Sequence, residues 1–263
     1  MKRLFFSLIV CSIQVYSQES DSTFFKYLWA QTDSLLIKSP EENNKIDFSS
    51  VWLAENRKIV HGFIGENYQR LDIIILSAIQ SKNNSIEYII TGRSRVKNNI
   101  CSFKGIATVS QIYIYDKINY ALVNEFKDKT KGIKKQGVVI GKYKFNEDST
   151  SNHSGIFEGT FASKWYLDTD YELKYDDTRI VTDDYWNNAF TGTWKSYKEN
   201  TSKICNWGDH RIYNCGDLDT GTGEFAPNEN YLPFGWQTYY DTYIKNDSTA
   251  RQLEEIKWWE PAK

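Results

Sequence analysis

The chain has 263 residues, of which 40% are hydrophobic and 25% charged, and its formal charge is -2 at pH 7. This composition is that of a globular protein and excludes wholesale disorder, and the nearly neutral charge argues against a nucleic-acid partner. The length allows one large domain or two small ones, and no segment beyond the N-terminus offers the ~18 apolar residues of a transmembrane helix.

Residues 1–17 have the layout of a secretory signal peptide. Lys2 and Arg3 provide a positively charged start, and residues 4–15 are mostly apolar. Val15 and Ser17 occupy the two positions that a signal peptidase reads, just before Gln18. The apolar stretch is too short to span a bilayer, so we expect cleavage before Gln18. The sequence therefore predicts an exported protein, either periplasmic or secreted.

Cys11 provides an alternative to a free exported protein. Leu8-Ile9-Val10-Cys11 half matches the motif that precedes a lipid-attachment cysteine, although Val10 occupies a position where a small residue is required. Lipid attachment at Cys11 would anchor the mature chain to a membrane.

Residues 18–46 are predicted to form an N-terminal helix followed by a polar linker. Apolar residues recur there at spacings of three and four, which places them on one helix face, and Ser39-Pro40 is expected to end the helix. The residues on this face are Phe24, Phe25, Leu28, Trp29, Leu35 and Leu36.

Residues 47–263 are predicted to form a single β domain, because the apolar residues now alternate with a period of two. No long helical pattern separates the strands, which predicts antiparallel pairing. The predicted strands are 58–65, 68–81, 86–97, 100–116, 137–147, 156–168, 172–176 and 189–197.

Glycines within these strands favour a closed sheet. A strand glycine marks a bend or a close approach of two backbones, and a sheet must bend to close. The predicted fold class is therefore mainly β, an antiparallel β-barrel of calycin-like type, with a β-sandwich as the alternative. The glycines concerned are Gly92, Gly105, Gly141, Gly159 and Gly192.

Residues 203–240 are predicted to form an aromatic and acidic cap, and Thr249 and Gln252 begin a short C-terminal helix over residues 249–259. Cys205 and Cys215 flank the start of this cap. In an exported protein they are expected to form a disulfide that stabilises the loop by roughly 2–3 kcal/mol, with two buried thiols as the alternative.

Aromatic residues make up 16% of the chain, which favours either a ring-rich β core or a platform for sugars and other flat ligands. A ligand platform would use rings from the late strands and the cap. The candidate ligand-binding residues are Trp165, Trp194, Trp207, Tyr213, Trp236 and Tyr239.

Asp217, Asp219 and Glu224 lie close together in the cap, and carboxylates so close repel one another unless a cation or hydrogen-bond donors compensate them. Calcium is one candidate cation, because it selects oxygen-rich flexible loops. The alternative is a turn whose aspartates accept hydrogen bonds from their own backbone.

No catalytic motif is present in the sequence. His61, His153 and His210 lack the spacing of a metal site, and no nucleophile elbow or phosphate-binding loop occurs. A carboxylate pair drawn from Asp209, Asp217, Asp219 and Glu224 remains an alternative that would suit a hydrolase. The doublets Asp176-Asp177 and Asp183-Asp184 are expected in turns that face water.

Three segments carry a resemblance: Trp165-Tyr166-Leu167-Asp168, Phe190-Thr191-Gly192-Thr193-Trp194, and residues 205–225 followed by Pro227-Asn228. They resemble a group of uncharacterised exported bacterial β-rich proteins, which implies export and no particular activity. The repeated Gly-x-aromatic strands are similar to calycin-type barrels, and that resemblance implies a fold that often carries small ligands.

These patterns together predict an exported, non-enzymatic binding or scaffold protein whose partner is a small molecule, a glycan or a protein. No cofactor is expected, with calcium as the alternative. The alternative functions are a secreted hydrolase, possibly acting on glycans, and a calcium-stabilised module of the cell envelope.

Overall fold

The structure is a computed structural model that describes residues 36–39, 42, 46–53, 60–118, 131–183 and 185–260. The predicted signal peptide, the alternative lipid site at Cys11 and the predicted helix up to residue 35 lie outside the described residues. We number the strands and helices within the described residues in chain order.

The described residues form a ten-stranded sheet. The strands are β1 (Leu36–Lys38), β2 (Val60–Ile64), β3 (Gln69–Gln80), β4 (Glu87–Val96), β5 (Asn99–Tyr115), β6 (Lys135–Glu147), β7 (Gly155–Leu167), β8 (Leu173–Tyr175), β9 (Asn187–Ser196) and β10 (Ser202–Asp209).

Eight of these strands close into an antiparallel barrel, which confirms the predicted fold class. The order is β2, β3, β4, β5, β6, β7, β9 and β10, and β10 pairs with β2 to complete the circle. Each barrel strand therefore lies beside its neighbour in the chain. The short strands β1 and β8 add to β5 and β7 outside this circle.

Strand β10 was not among the predicted strands, because its sequence belongs to the segment assigned to the cap. Cys205 and Trp207 point into the barrel core, whereas Asn206 accepts a hydrogen bond from the backbone N–H of Gly192 and donates to the carbonyl of Tyr213. Ile204 places an apolar side chain on the outward face, where it is 40% exposed, so the apolar alternation typical of a strand is weak. The cap thus begins only after β10 has closed the barrel.

Glycines opposite aromatic rings explain how the barrel holds a ring-rich interior. Gly92 pairs with Phe103 across β4 and β5, and Gly141 pairs with Phe161 across β6 and β7. A side chain at either glycine would collide with the facing ring. The same pairing of a glycine with a ring occurs at Gly62–Trp207, Gly105–Phe145 and Gly137–Trp165.

A single helical turn, α1 (Ser49–Trp52), closes one end of the barrel. Phe48, Val51 and Trp52 belong to the buried core, and the Trp52 indole N–H donates to Ser163 Oγ at 3.1 Å. Upstream of this turn the predicted N-terminal helix is wrong at its end, because residues 36–38 form β1. Extended backbone there pairs with β5, and that pairing overrides the local helical spacing.

The chain after β10 packs on the outer surface of β2 and β3. It contains a 3-10 helix (Glu229–Phe234) and the helices α2 (Gln237–Tyr243) and α3 (Ser248–Glu254). The predicted C-terminal helix exists but is shorter than expected. Asp247 caps it by accepting from the Ala250 N–H at 2.7 Å, in place of the expected capping pair.

Candidate functional site

The three Trp candidates from the strands, Trp165, Trp194 and Trp207, lie in the barrel core and not on an open platform. The Trp207 ring is 5.1 Å from Phe190 and 5.2 Å from Tyr143, measured between ring centroids. Rings packed at these distances fill space in the manner of a hydrophobic core. The structure thus gives these residues a packing role.

Two polar atoms in this interior have no hydrogen-bond partner among the described residues. They are the Tyr143 hydroxyl and the Trp165 indole N–H. Tyr143 is surrounded by Phe145, Phe190 and Trp207, which offer no strong acceptor. A buried hydroxyl in such surroundings is energetically costly, and it provides a sensitive probe of what the barrel contains.

The remaining candidate rings lie outside the barrel, in two other clusters. Tyr213 packs beside Trp186 on the outer surface of β5, β6 and β7. Trp236 and Tyr239 pack with Phe225 over β2 and β3. The structure therefore divides the six predicted ligand-binding rings among three buried clusters and does not bring them to one site.

The acidic residues of the cap are compensated by the protein itself. Arg211 forms an ion pair with Asp219, whose other oxygen accepts the backbone N–H groups of Gly221 and Ala226. Asp217 accepts a hydrogen bond from the Tyr231 hydroxyl at 2.6 Å, and Glu224 is exposed. The alternative expectation, a turn that bonds its own backbone, therefore describes Asp219 well.

No group of three or more His, Cys, Asp or Glu side chains in the described part of the chain is placed to hold a metal ion. At Asp219 the compensating cation is the Arg211 guanidinium, which also donates to the carbonyls of Gly221 and Gly223. This residue was not recognised from the sequence. Its signal was an arginine among several acidic residues and glycines.

The predicted disulfide between Cys205 and Cys215 is wrong, because both cysteines are free. Cys205 points into the barrel core, whereas Cys215 packs beside the outer cluster of rings that contains Trp236. The barrel wall separates the two sulfur atoms. Burial raises the pKa of Cys205 well above its usual range and that of Cys215 to about 11, so both are thiols at neutral pH.

Asp176 is buried, which corrects the expectation that it faces water. It accepts hydrogen bonds from Gln136 at 2.7 Å and from the Thr178 hydroxyl at 2.6 Å, and burial raises the pKa of its carboxyl.

Among the acids considered for a hydrolase, Asp209 accepts from Tyr175 and Asn188, both at 2.9 Å. These bonds fasten the residues around the α1 end of the barrel.

One part of the barrel wall remains exposed and apolar. Ile79, Ile89 and Ile106 lie directly opposite one another on β3, β4 and β5, and their exposed fractions are 60%, 40% and 46%. Their side chains form a continuous row on the outer surface. We call this row, together with the groove beside it, the open face.

The groove beside the isoleucine row has a volume of about 400 Å³. Leu76, Thr91, Arg93, Ser102 and Lys104 line most of it. These side chains supply one apolar contact, two hydroxyls and two cations. Such a set suits a ligand that combines an anionic group with an apolar part.

The far end of the groove contains three polar residues, Asn146, Glu147 and Asp148. The Asp148 carboxylate accepts from the N–H and hydroxyl of Thr150, at 2.9 and 2.7 Å, and so is directed toward its own loop. Glu147 is buried and accepts from Ser94, Trp194 and Gly155. Burial raises the pKa of Glu147 and outweighs the opposing effect of these three donors.

Cations surround the open face. Lys142 and Lys144 follow on β6, next to Thr108 and Ile106. Lys144 pairs with Glu158 at 3.1 Å, whereas Arg93, Lys104 and Lys142 have no ion pair within the described ranges. The two-residue alternation in the sequence places Ile89 on a strand face that contacts solvent. Only the strand register shows that Ile79 and Ile106 lie beside it.

Comparison of the chain with protein-family models, with curated proteins and with solved structures found no match. No helix among the described residues is both long enough and apolar enough to cross a membrane. The resemblance to exported bacterial proteins and the predicted signal peptide thus remain predictions.

Proposed function

We propose that the chain is an exported, non-enzymatic binding or scaffold protein that contacts its partner on the outer wall of the barrel. The signal-peptide pattern predicted in residues 1–17 supports export, and the sequence offers no catalytic spacing that would favour an enzyme. The barrel serves as a rigid support, because its closed sheet has no free edges among its eight strands.

The packed interior is the single observation that carries this proposal. A barrel that encloses a ligand leaves space between its inward side chains, whereas here rings from strands that are not neighbours contact one another across the core. The Trp207 ring on β10 lies 5.2 Å from Tyr143 on β6 and 5.7 Å from Phe157 on β7, measured between ring centroids. A partner would therefore find its contacts outside, and the open face is the exposed apolar part of that outside.

A titration with an uncharged fluorescent hydrocarbon analogue tests the proposal, because a probe without an anionic group offers nothing to the cations of the open face. We expect the chain to be recovered from the periplasmic fraction with a mass that corresponds to a start at Gln18. This protein should show no saturable one-to-one quenching of its tryptophans by the analogue. The matched control is Phe190→Ala, which opens a void in the centre of the barrel and should gain measurable binding.

Saturable one-to-one binding by the unaltered protein would contradict the proposal, because the ligand would then occupy the interior. Recovery of the uncleaved chain in the cytoplasmic fraction would contradict the exported location.

A further inference from the structure

We propose that the open face binds an anionic lipid surface, with phosphate headgroups in the groove between Arg93 and Lys104. The isoleucine row would contact the acyl region beside those headgroups. This inference rests on the proposed function, since it names the partner of the outer wall, and the two can fail independently.

The apolar contribution comes from the isoleucine row. Ile79, Ile89 and Ile106 extend across three adjacent strands, so their side chains meet a partner together and not singly. Apolar surface that enters the boundary between headgroups and acyl chains is removed from water, which favours binding. Leu76, 47% exposed, extends the same apolar surface into the groove.

The electrostatic contribution comes from the cations around the row. Arg93 and Lys104 line the groove together with the hydroxyls of Thr91 and Ser102, which can donate to phosphate oxygens. Each cation held near an anionic membrane contributes about 1 kcal/mol. Within the residues that the structure describes, neither Arg93 nor Lys104 forms an ion pair.

The acids near the open face weaken this attraction only in part. Glu158 is already paired with Lys144, and Asp148 is directed toward the backbone and hydroxyl of Thr150. Glu147 is buried below the groove. Glu87, on β4 beside Ile89, is the remaining acid.

Charge favours a lipid surface over the other possible occupants. Two copies of this chain that met through their open faces would bring the same cations together, which opposes association. Three of the four cations here are lysines (Lys104, Lys142 and Lys144), a residue type depleted in interfaces between proteins. Lysines suit a membrane surface, because their long stems lie along apolar regions while the charge remains in water.

Sedimentation with vesicles tests the inference. The purified chain should bind vesicles of phosphatidylcholine mixed with phosphatidylglycerol, and should not bind vesicles of phosphatidylcholine alone. Added salt should weaken the binding, because it screens the cations. The double variant Arg93→Gln and Lys104→Gln removes two cations and should weaken binding roughly thirtyfold.

Matched controls come from the wall outside the open face. Lys195 on β9 and Ile204 on β10 are also exposed and point outward. Lys195→Gln should leave vesicle binding unchanged, and Ile204→Ser should do so as well, whereas Ile89→Ser should weaken it about tenfold. Unchanged circular dichroism and melting temperature would show that each variant is folded.

Three outcomes would overturn the inference. They are equal binding to both kinds of vesicle, equal loss of binding in the control variants, and absence of binding to any vesicle. A dimer that dissociates in Ile89→Ser would also overturn it, because the open face would then be a contact between copies. In each case the dye titration still decides whether the interior is filled.

Discussion

Glu147 shows how one buried carboxylate links four strands. It lies on β6 and accepts hydrogen bonds from Ser94 on β4, from the backbone N–H of Gly155 on β7 and from the Trp194 indole on β9. No described cation forms an ion pair with it. Hydrogen bonds alone therefore compensate the buried charge. Burial outweighs them and raises the pKa of Glu147 above its ordinary value of 4.5.

The raised pKa fixes the direction of a pH effect on stability. Between pH 4.5 and the raised value, the folded chain holds a proton on Glu147 that the unfolded chain has lost. The contribution of Glu147 to stability is therefore fully present below pH 4.5 and is lost as the pH rises through the folded value.

The variant Glu147→Gln is predicted to be more stable than the parent at pH 8 and about equally stable at pH 4. An amide can retain the contacts, since its oxygen can accept from Gly155 and Trp194 while its nitrogen donates to Ser94 Oγ. Urea unfolding at the two pH values measures the difference. Glu158→Gln, at an exposed glutamate on β7, is the control and should show no such pH dependence.

At the scale of elements, Arg70 fastens the C-terminal helices to the barrel. This buried residue on β3 holds both oxygens of Glu254 on α3, each at 2.7 Å, and also contacts Asp72 at 2.9 Å. Burial alone would raise the pKa of Asp72, but the charges of Arg70, His61 and Arg95 outweigh it and hold that pKa well below its usual range. The contribution of Asp72 to stability is therefore present at neutral pH and is lost as the pH falls through its lowered pKa.

Replacement of this guanidinium should release the C-terminal segment. Arg70→Met leaves Glu254 buried without its cation, and we expect it to lower the free energy of unfolding by about 3–5 kcal/mol. Lys245→Met removes an exposed ion pair with Asp241 on α2 and should leave the free energy of unfolding nearly unchanged, because solvent screens exposed charges. Urea unfolding compares the two variants, and equal losses would show that the buried network does not hold the segment.

Hydrogen exchange of Arg70→Met locates the effect. Amide protection should fall in residues 229–254 more than in β5, β6 and β7, which lie outside this network. A uniform loss of protection over the whole chain would instead show that the segment and the barrel unfold as one unit.

At the scale of the whole molecule, the sequence was sufficient to predict the barrel, because two-residue alternation is a local signal. Glu87–Val96 and Gly155–Leu167 display it clearly, and both are strands. Inward glycines indicated closure, and the glycine–ring pairs supply the reason. Strand β10 was missed because the outward Ile204 breaks the apolar alternation and because the segment was assigned to the cap.

Features that depend on which face a residue occupies were harder to predict. Proximity in sequence suggested a disulfide between Cys205 and Cys215, but the barrel wall lies between them. The burial of Asp176 and the adjacency of Ile79 to Ile89 and Ile106 depend on pairings between distant segments. Local patterns contain no such information, which is why the open face emerged only from the register.

The stability of Tyr143→Phe tests the central claim, that side chains fill the barrel interior, most directly. The Tyr143 hydroxyl is buried among rings and has no partner among the described residues, so its removal should raise the free energy of unfolding by about 1 kcal/mol. Urea unfolding would show this as a higher midpoint with an unchanged slope. A loss of about 1 kcal/mol or more would contradict the claim, because a bound molecule must then have been hydrogen-bonded to that hydroxyl inside the barrel.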